Sequence, residues 1–273
     1  LKNTLATVFC FLLFGCQNTS SFLQPKNNHV KGEYIYRLAN EKQFDVEPQV
    51  FLAKPQYPWE KQSFTRLPLI TKEYFRCKGS SINPIQVVQK KDQTFRYLDC
   101  SGERHSLPLR ESQEFIYPVL INLLNFIQKK TGQKVVITSG HRCPEHNIYV
   151  DPINVNHASK HMIGAEVSFY VQGYENTPLS IIEIIQQYYL ENRIYKGLKS
   201  FEEFERYEKD DLAISTQPWL NKEIFIKLFN KNEGRNFDNR HPYPYFSIQV
   251  RYDWDKKERV IYNHEDAGRY LRN

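Results

Sequence analysis

After its first fourteen residues the chain has no apolar run approaching the roughly 20 residues that a membrane-crossing helix requires, so no bundle of such helices is expected. It has no glycine-rich phosphate loop, which removes the P-loop and dinucleotide-binding readings. It has no internal repeat, which removes solenoids and propellers. Cysteine is sparse, five in 273 residues, and the spacing fits no zinc knuckle. What is present is ordinary: 40% hydrophobic and 25% charged residues are enough for a true core, and the length suits one large domain or two small ones.

The exception is the beginning. Leu1 stands where Met is expected and reads as a non-standard start codon decoded as Met. Lys2 precedes an apolar run from Leu5 to Phe14, the size of a signal-peptide core. Leu13-Phe14-Gly15-Cys16 follows, and it resembles the lipobox of bacterial lipoproteins. The resemblance implies cleavage before Cys16 and acylation (palmitate among the chains) of that cysteine. One acyl chain holds a membrane only marginally, so a stable anchor takes two or more. Gln17 beside the cysteine leans towards the outer membrane, on its periplasmic face. Without residues 1–15 the chain loses only Lys2, leaving 36 basic residues against 31 acids, a charge of about +5. These charges are scattered. No nucleic-acid partner is expected of an exported protein, whereas a mild attraction to anionic lipid or cell wall fits.

With Cys10 removed and Cys16 acylated, Cys77, Cys100 and Cys143 remain. An oxidising envelope permits disulfides. Cys77 and Cys100 flank an expected hairpin and are paired on that ground, a bridge worth about 3 kcal/mol in the chain-entropy model. Cys143 is left over.

Residues 16–60 read as a lipidated tether, polar and interrupted by Pro25, Pro48, Pro55 and Pro58. Residues 61–110 read as a small β segment, with strands over Glu73–Cys77, Ile85–Gln89 and Thr94–Leu98 and a turn at 90–93. Residues 111–273 read as the main domain. A helical period runs through 111–132 to a stop at Gly132, and a strand follows at Val135–Thr138. Ala165–Val171 alternates, with Glu166, Ser168 and Tyr170 on one side. A helix is expected over 178–191 and another at Glu223–Phe229. Tyr245–Arg251 alternates again and pairs with Arg259–Tyr262.

Two motifs carry chemistry. Ser139-Gly140-His141-Arg142-Cys143-Pro144-Glu145-His146-Asn147 and Ser159-Lys160-His161-Met162-Ile163-Gly164-Ala165-Glu166-Val167-Ser168 resemble, in order and spacing, the first two blocks of the M15 peptidases, the D-alanyl-D-alanine carboxypeptidases of the cell wall. A third block of that family, His-x-Asp on a strand, falls on Ser247-Ile248-Gln249. The resemblance spans roughly residues 111–252. It implies an α+β fold of the Hedgehog/DD-peptidase type, a small sheet with packed helices, preceded by the tether and the small β segment.

The departures decide what activity to expect. A hydrolytic zinc site takes three protein ligands and an open position for water. Of the family's ligands only His161 is retained; Ser168 and Ser247 replace the other two. Gln249, in place of the Asp, cannot take up a proton. No cofactor is therefore expected. The leading expectation is a non-catalytic, M15-like envelope lipoprotein that binds peptidoglycan peptides or an envelope protein through a former cleft lined by Arg142, His161, Ser168, Ser247 and Gln249. Arg142 would clamp substrate in an active relative, or brace its loop. Glu166 shares the strand face of Ser168 but lies two residues earlier, which displaces it by nearly 7 Å. The alternative is an active zinc D,D-peptidase with a substitute ligand set drawn from His157, His161, Glu166 and His241, with His264 also near the third block. A structural envelope scaffold is the third reading.

Overall fold

Alternating strands and amphipathic helices build an α+β structure, a computed structural model that describes residues 67–101, 107–152, 159–208 and 214–262. All of these belong to one compact unit spanning residues 62–273. The expected signal peptide, the expected lipidation site Cys16, the expected tether to residue 60, His157 and His264 lie outside the described residues.

Along the chain, β1 (Gln86–Lys90) and β2 (Gln93–Tyr97) form the expected hairpin, and Lys91 turns it at φ 53°. A second, short hairpin joins β3 (Leu109–Arg110) to β4 (Gln113–Glu114). Helix α1 (Pro118–Thr131) opens on a proline whose missing N–H costs nothing there, and it closes on Gly132 in the left-handed region, φ 64°. Strand β5 (Val135–Ser139), the short helix α2 (Pro144–Val150), β6 (Glu166–Val171) and α3 (Leu179–Glu191) follow. Then come α4 (Lys199–Glu202), β7 (Glu205–Arg206), β8 (Trp219–Leu220), β9 (Ile224–Phe229) and β10 (Tyr245–Val250). Strands β11 (Tyr252–Asp253) and β12 (Glu258–Arg259) pair as a final small hairpin.

Six of these strands make one antiparallel sheet in the order β5-β6-β10-β9-β8-β7. Its apolar face carries Val167, Phe169, Ile226, Phe246 and Ile248, which share one core with Leu120, Leu123 and Leu124 of α1 and Ile181, Ile185 and Tyr189 of α3. Burial of each such side chain contributes about 1.5–3 kcal/mol, so this layer dominates the fold. The opposite face of β6 and β10 is polar, and the motif residues fall there.

Three sequence readings differ from the structure: Glu258–Arg259 pairs with Tyr252–Asp253 and not with Tyr245–Val250, whose partners are β6 and β9, and two segments change type. Ile224–Phe229, expected as part of a helix from Glu223, is a strand. Its buried residues are Ile224, Ile226 and Leu228, an alternation of period two, and it pairs along its length with β10. Phe225 and Phe229 on the outward side disguise that period. Glu73–Cys77 is not a strand either: Lys72–Phe75 is a 3-10 turn. The turn drops Phe75 fully into the core, and the Phe75 carbonyl accepts the His141 N–H at 2.6 Å. The segment before it is laced to α1: the Asn125 side chain bonds both the N–H and the carbonyl of Ile70, at 2.9 and 2.7 Å, and Gln128 donates to the Pro68 carbonyl. Residues 67–77 thus pack as part of the same body as the helices and sheet that follow.

Candidate functional site

The first motif begins where β5 ends. Gly140 is required by close approach: a β-carbon there would collide with the backbone of Phe75. The turn aims Arg142 inward. Its Nε donates to Ser139 Oγ at 2.7 Å and lies 3.3 Å from Asp238 Oδ2, and its backbone N–H donates to the His161 carbonyl. Arg142 is buried. It braces the loop from within.

The second motif is a 3-10 turn, Lys160–Ile163, capped by Ser159, whose Oγ accepts the His161 N–H. Gly164 ends it at φ 71°, a conformation that suits glycine, and returns the chain into β6. His161 is buried. Its Nδ1 lies 2.6 Å from the Gly140 carbonyl, which can only accept, so Nδ1 carries the proton. Nε2 then faces Ser168 Oγ at 3.5 Å and Glu166 Oε1 at 3.6 Å.

The third block completes the arrangement. Ser247 is opposite Ser168 and Gln249 is opposite Glu166 across the β6–β10 pair. Ser247 Oγ donates to Glu166 Oε1 at 2.6 Å, and Gln249 Nε2 donates to the same oxygen at 3.0 Å. A single carboxylate oxygen therefore sits where His161, Ser247 and Gln249 converge. The strand offset of Glu166 does not keep it away, because its longer side chain reaches diagonally to the neighbouring rung. Glu166 supplies the negative charge that Ser168 lacks.

The electrostatics are those of a closed polar cluster. Burial lowers His161 to about 4, helped by the Arg142 guanidinium, so the ring is neutral at pH 7. Burial alone would raise Glu166, but His161, the Ser247 and Gln249 donors and Arg142 outweigh it and bring the carboxyl to about 2. Burial lowers Lys160 to about 8; its ammonium bonds the Val250 carbonyl and feels the Glu166 charge. An ionised carboxylate with its donors in place is a poor general base at neutral pH.

Sequence reasoning placed Arg142, His161, Ser168, Ser247 and Gln249 together, and the structure brings them together. All but the half-buried Gln249 are buried. A cavity of about 410 Å³ lies elsewhere, among Thr177, Leu179, Ser180, Thr216, Leu228 and Asn230. His241, proposed as a substitute ligand, packs against Tyr170 with ring centroids 4.7 Å apart and the rings tilted by 42°.

The cysteines need the larger correction. No disulfide joins Cys77 to Cys100; both are thiols and both meet Cys143. Cys143 caps α2, and this brings its sulfur to 3.9 Å from that of Cys77. The three sulfurs lie within 4.8 Å of one another, and a ligand atom of each of Asp99, Cys100 and His146 also lies within 4.8 Å of the other two. This Cys/Asp/His cluster could hold a metal ion. The signal available beforehand was Cys143-x-x-His146, two potential ligands one helical turn apart.

Comparison of the chain with protein-family models, with curated proteins and with solved structures returns no match.

Proposed function

We propose that the chain is a cell-envelope lipoprotein with an M15-peptidase-like domain that has exchanged catalysis for recognition. The carrying observation is Glu166: its carboxylate oxygen accepts from Ser247 and Gln249 and faces His161, filling the place where a hydrolytic metal would be held. The order of helix, strand, arginine loop, histidine loop and strand, read with the two motif blocks, supports the family resemblance. With the centre closed, contact with peptidoglycan stem peptides or with an envelope protein falls to its rim. Gln249 and its cross-strand neighbour Phe225, together with Lys227 opposite Ser247, present a half-buried polar and aromatic strip there. A lipid anchor at Cys16 would hold this surface at the envelope, with the outer membrane's periplasmic face favoured.

The test is retention of the full chain on purified cell wall, alongside incubation with muropeptides and zinc. Retention that Gln249→Ala weakens several-fold, with no D-alanine released, supports the reading. Loss of retention would sink the recognition role, and metal-dependent D-alanine release would sink the non-catalytic one. The second reading, an active zinc D,D-peptidase, has one specific observation in its favour. His161 Nε2 and Glu166 Oε1 are 3.6 Å apart, close enough to share an ion. They supply two donors where a zinc site takes at least three from the protein.

A further inference from the structure

We infer that Cys77, Cys100, Cys143 and His146 form a structural zinc site, separate from the Glu166 centre. The geometry points to a metal before it points to a bridge. Sulfurs bound to one tetrahedral zinc at about 2.3 Å stand about 3.8 Å apart; the Cys77 and Cys143 sulfurs are 3.9 Å apart. A disulfide would bring two sulfurs to about 2.05 Å and leave the third without a role. Here three sulfurs, from three distant stretches of chain, converge to mutual distances within 4.8 Å. They form a small buried cluster of their own, apart from the aliphatic core.

The fourth ligand borders the three sulfurs on the Cys100 side. His146 follows Cys143 by one turn of α2, and its backbone N–H donates to the Cys143 sulfur at 3.4 Å, a bond that favours thiolate. Its imidazole is fully enclosed. Nε2 lies 3.1 Å from Asp238 Oδ1, the carboxylate partner that zinc-bound histidines typically have on the nitrogen facing away from the metal. Nδ1 points to the side where Cys100 and Asp99 lie, 2.7 Å from Asp99 Oδ1. Both partners are carboxylates, so without metal both ring nitrogens carry protons; zinc at Nδ1 replaces one of them, and each bound thiol likewise releases its proton. Asp99 keeps its other donors, the N–H groups of Ser80 and Cys100 and the Asn83 amide. Gly79 closes that side. A β-carbon there would overlap Cys100 Sγ and crowd Asp99 Oδ1 and His146 Nδ1, so the backbone itself walls the cluster. Soft thiolates with one imidazole select zinc over magnesium or calcium.

The site has structural work to do. Cys77 and Cys100 bracket the β1–β2 hairpin, whose exposed strands hold little core, and Cys143 and His146 belong to the loop and helix after β5. A metal there would staple the hairpin to the arginine loop. Through Asp238, shared by His146 and Arg142, the staple would also steady the Arg142 guanidinium.

Elemental analysis of the purified full chain, after dialysis against trace zinc under reducing conditions, tests this directly. About one zinc per chain, lost in Cys143→Ser and retained in His161→Ala, is the expected result. Cobalt replacement in the unaltered chain gives a measure that needs no variant: strong thiolate-to-cobalt charge transfer with the visible bands of a tetrahedral site. A zinc that survives Cys143→Ser but leaves with His161→Ala would overturn this inference and the non-catalytic reading together. No bound zinc, or an intact mass two hydrogens light under non-reducing conditions, would overturn the zinc site alone and leave the Glu166 argument standing.

Discussion

The His161 centre and the cysteine cluster are built the same way and filled oppositely. Each gathers side chains from separate segments into a buried point. At the first, a carboxylate from the protein itself takes the middle, and serine and glutamine donors close around it. At the second, three thiols converge, with an imidazole and the Asp99 carboxylate beside them. A buried point of convergence is therefore not evidence of a metal; the character of the donors is. Hydroxyl and amide groups stabilise an anion, while thiolates and imidazole stabilise a cation.

That contrast can be broken or sharpened by experiment, and the largest effect is expected at the cysteines. Stripping zinc from the reduced chain with a chelator should lower the melting temperature by on the order of 10 °C, since a structural metal contributes folding free energy outright; calorimetry before and after readdition of zinc reads it. Next in size is Glu166→Ala, which leaves the buried Ser247 hydroxyl and the half-buried Gln249 amide without their acceptor. A loss of about 3 kcal/mol in denaturant unfolding is expected. Combining Glu166→Ala with Ser168→Asp and Ser247→His sharpens the comparison, for that chain should bind one more zinc than the unaltered one by elemental analysis.

A pH effect comes third. His161 stands at about 4 against an ordinary 6.5, and Glu166 at about 2 against 4.5. Both values are depressed by folding, so in acid the unfolded chain binds more protons than the folded one. The stability they contribute is complete above pH 6.5. It falls as His161 titrates between 6.5 and 4, and the Glu166 share is lost from 4.5 towards 2. Melting curves of His161→Gln should be flatter than those of the unaltered chain across the first window; parallel curves would refute the assignment. The smallest effect is Gln249→Ala, below about 1 kcal/mol in stability because its amide is half open to water, even as retention on cell wall drops.

The sheet strands that carry the motifs were legible because one of their faces is polar. In β6 and β10, Glu166, Ser168, Ser247 and Gln249 alternate cleanly with Val167, Phe169, Ile248 and Val250. Strand β9 was not, because Phe225 and Phe229 give its outward side the look of a core. The site residues were legible as a set through their motifs. The role of Glu166 was not, because spacing along one strand says nothing of how far a glutamate reaches across to the next. The cysteine cluster was half legible. The hairpin bracketed by Cys77 and Cys100 could be read from β propensity and a turn, but Cys143 joins them only through a helix cap whose position depends on the whole fold.

The lock between Phe75 and Gly140 bears on where this protein can be cut. The motif resemblance begins near residue 111, and a boundary drawn there looks natural. Such a cut would remove Phe75 from beneath the arginine loop, the Ile70 bonds to Asn125, and two of the three thiols. The span that the motifs mark and the span that folds are different lengths of chain, and the shortest piece worth expressing begins before Pro68.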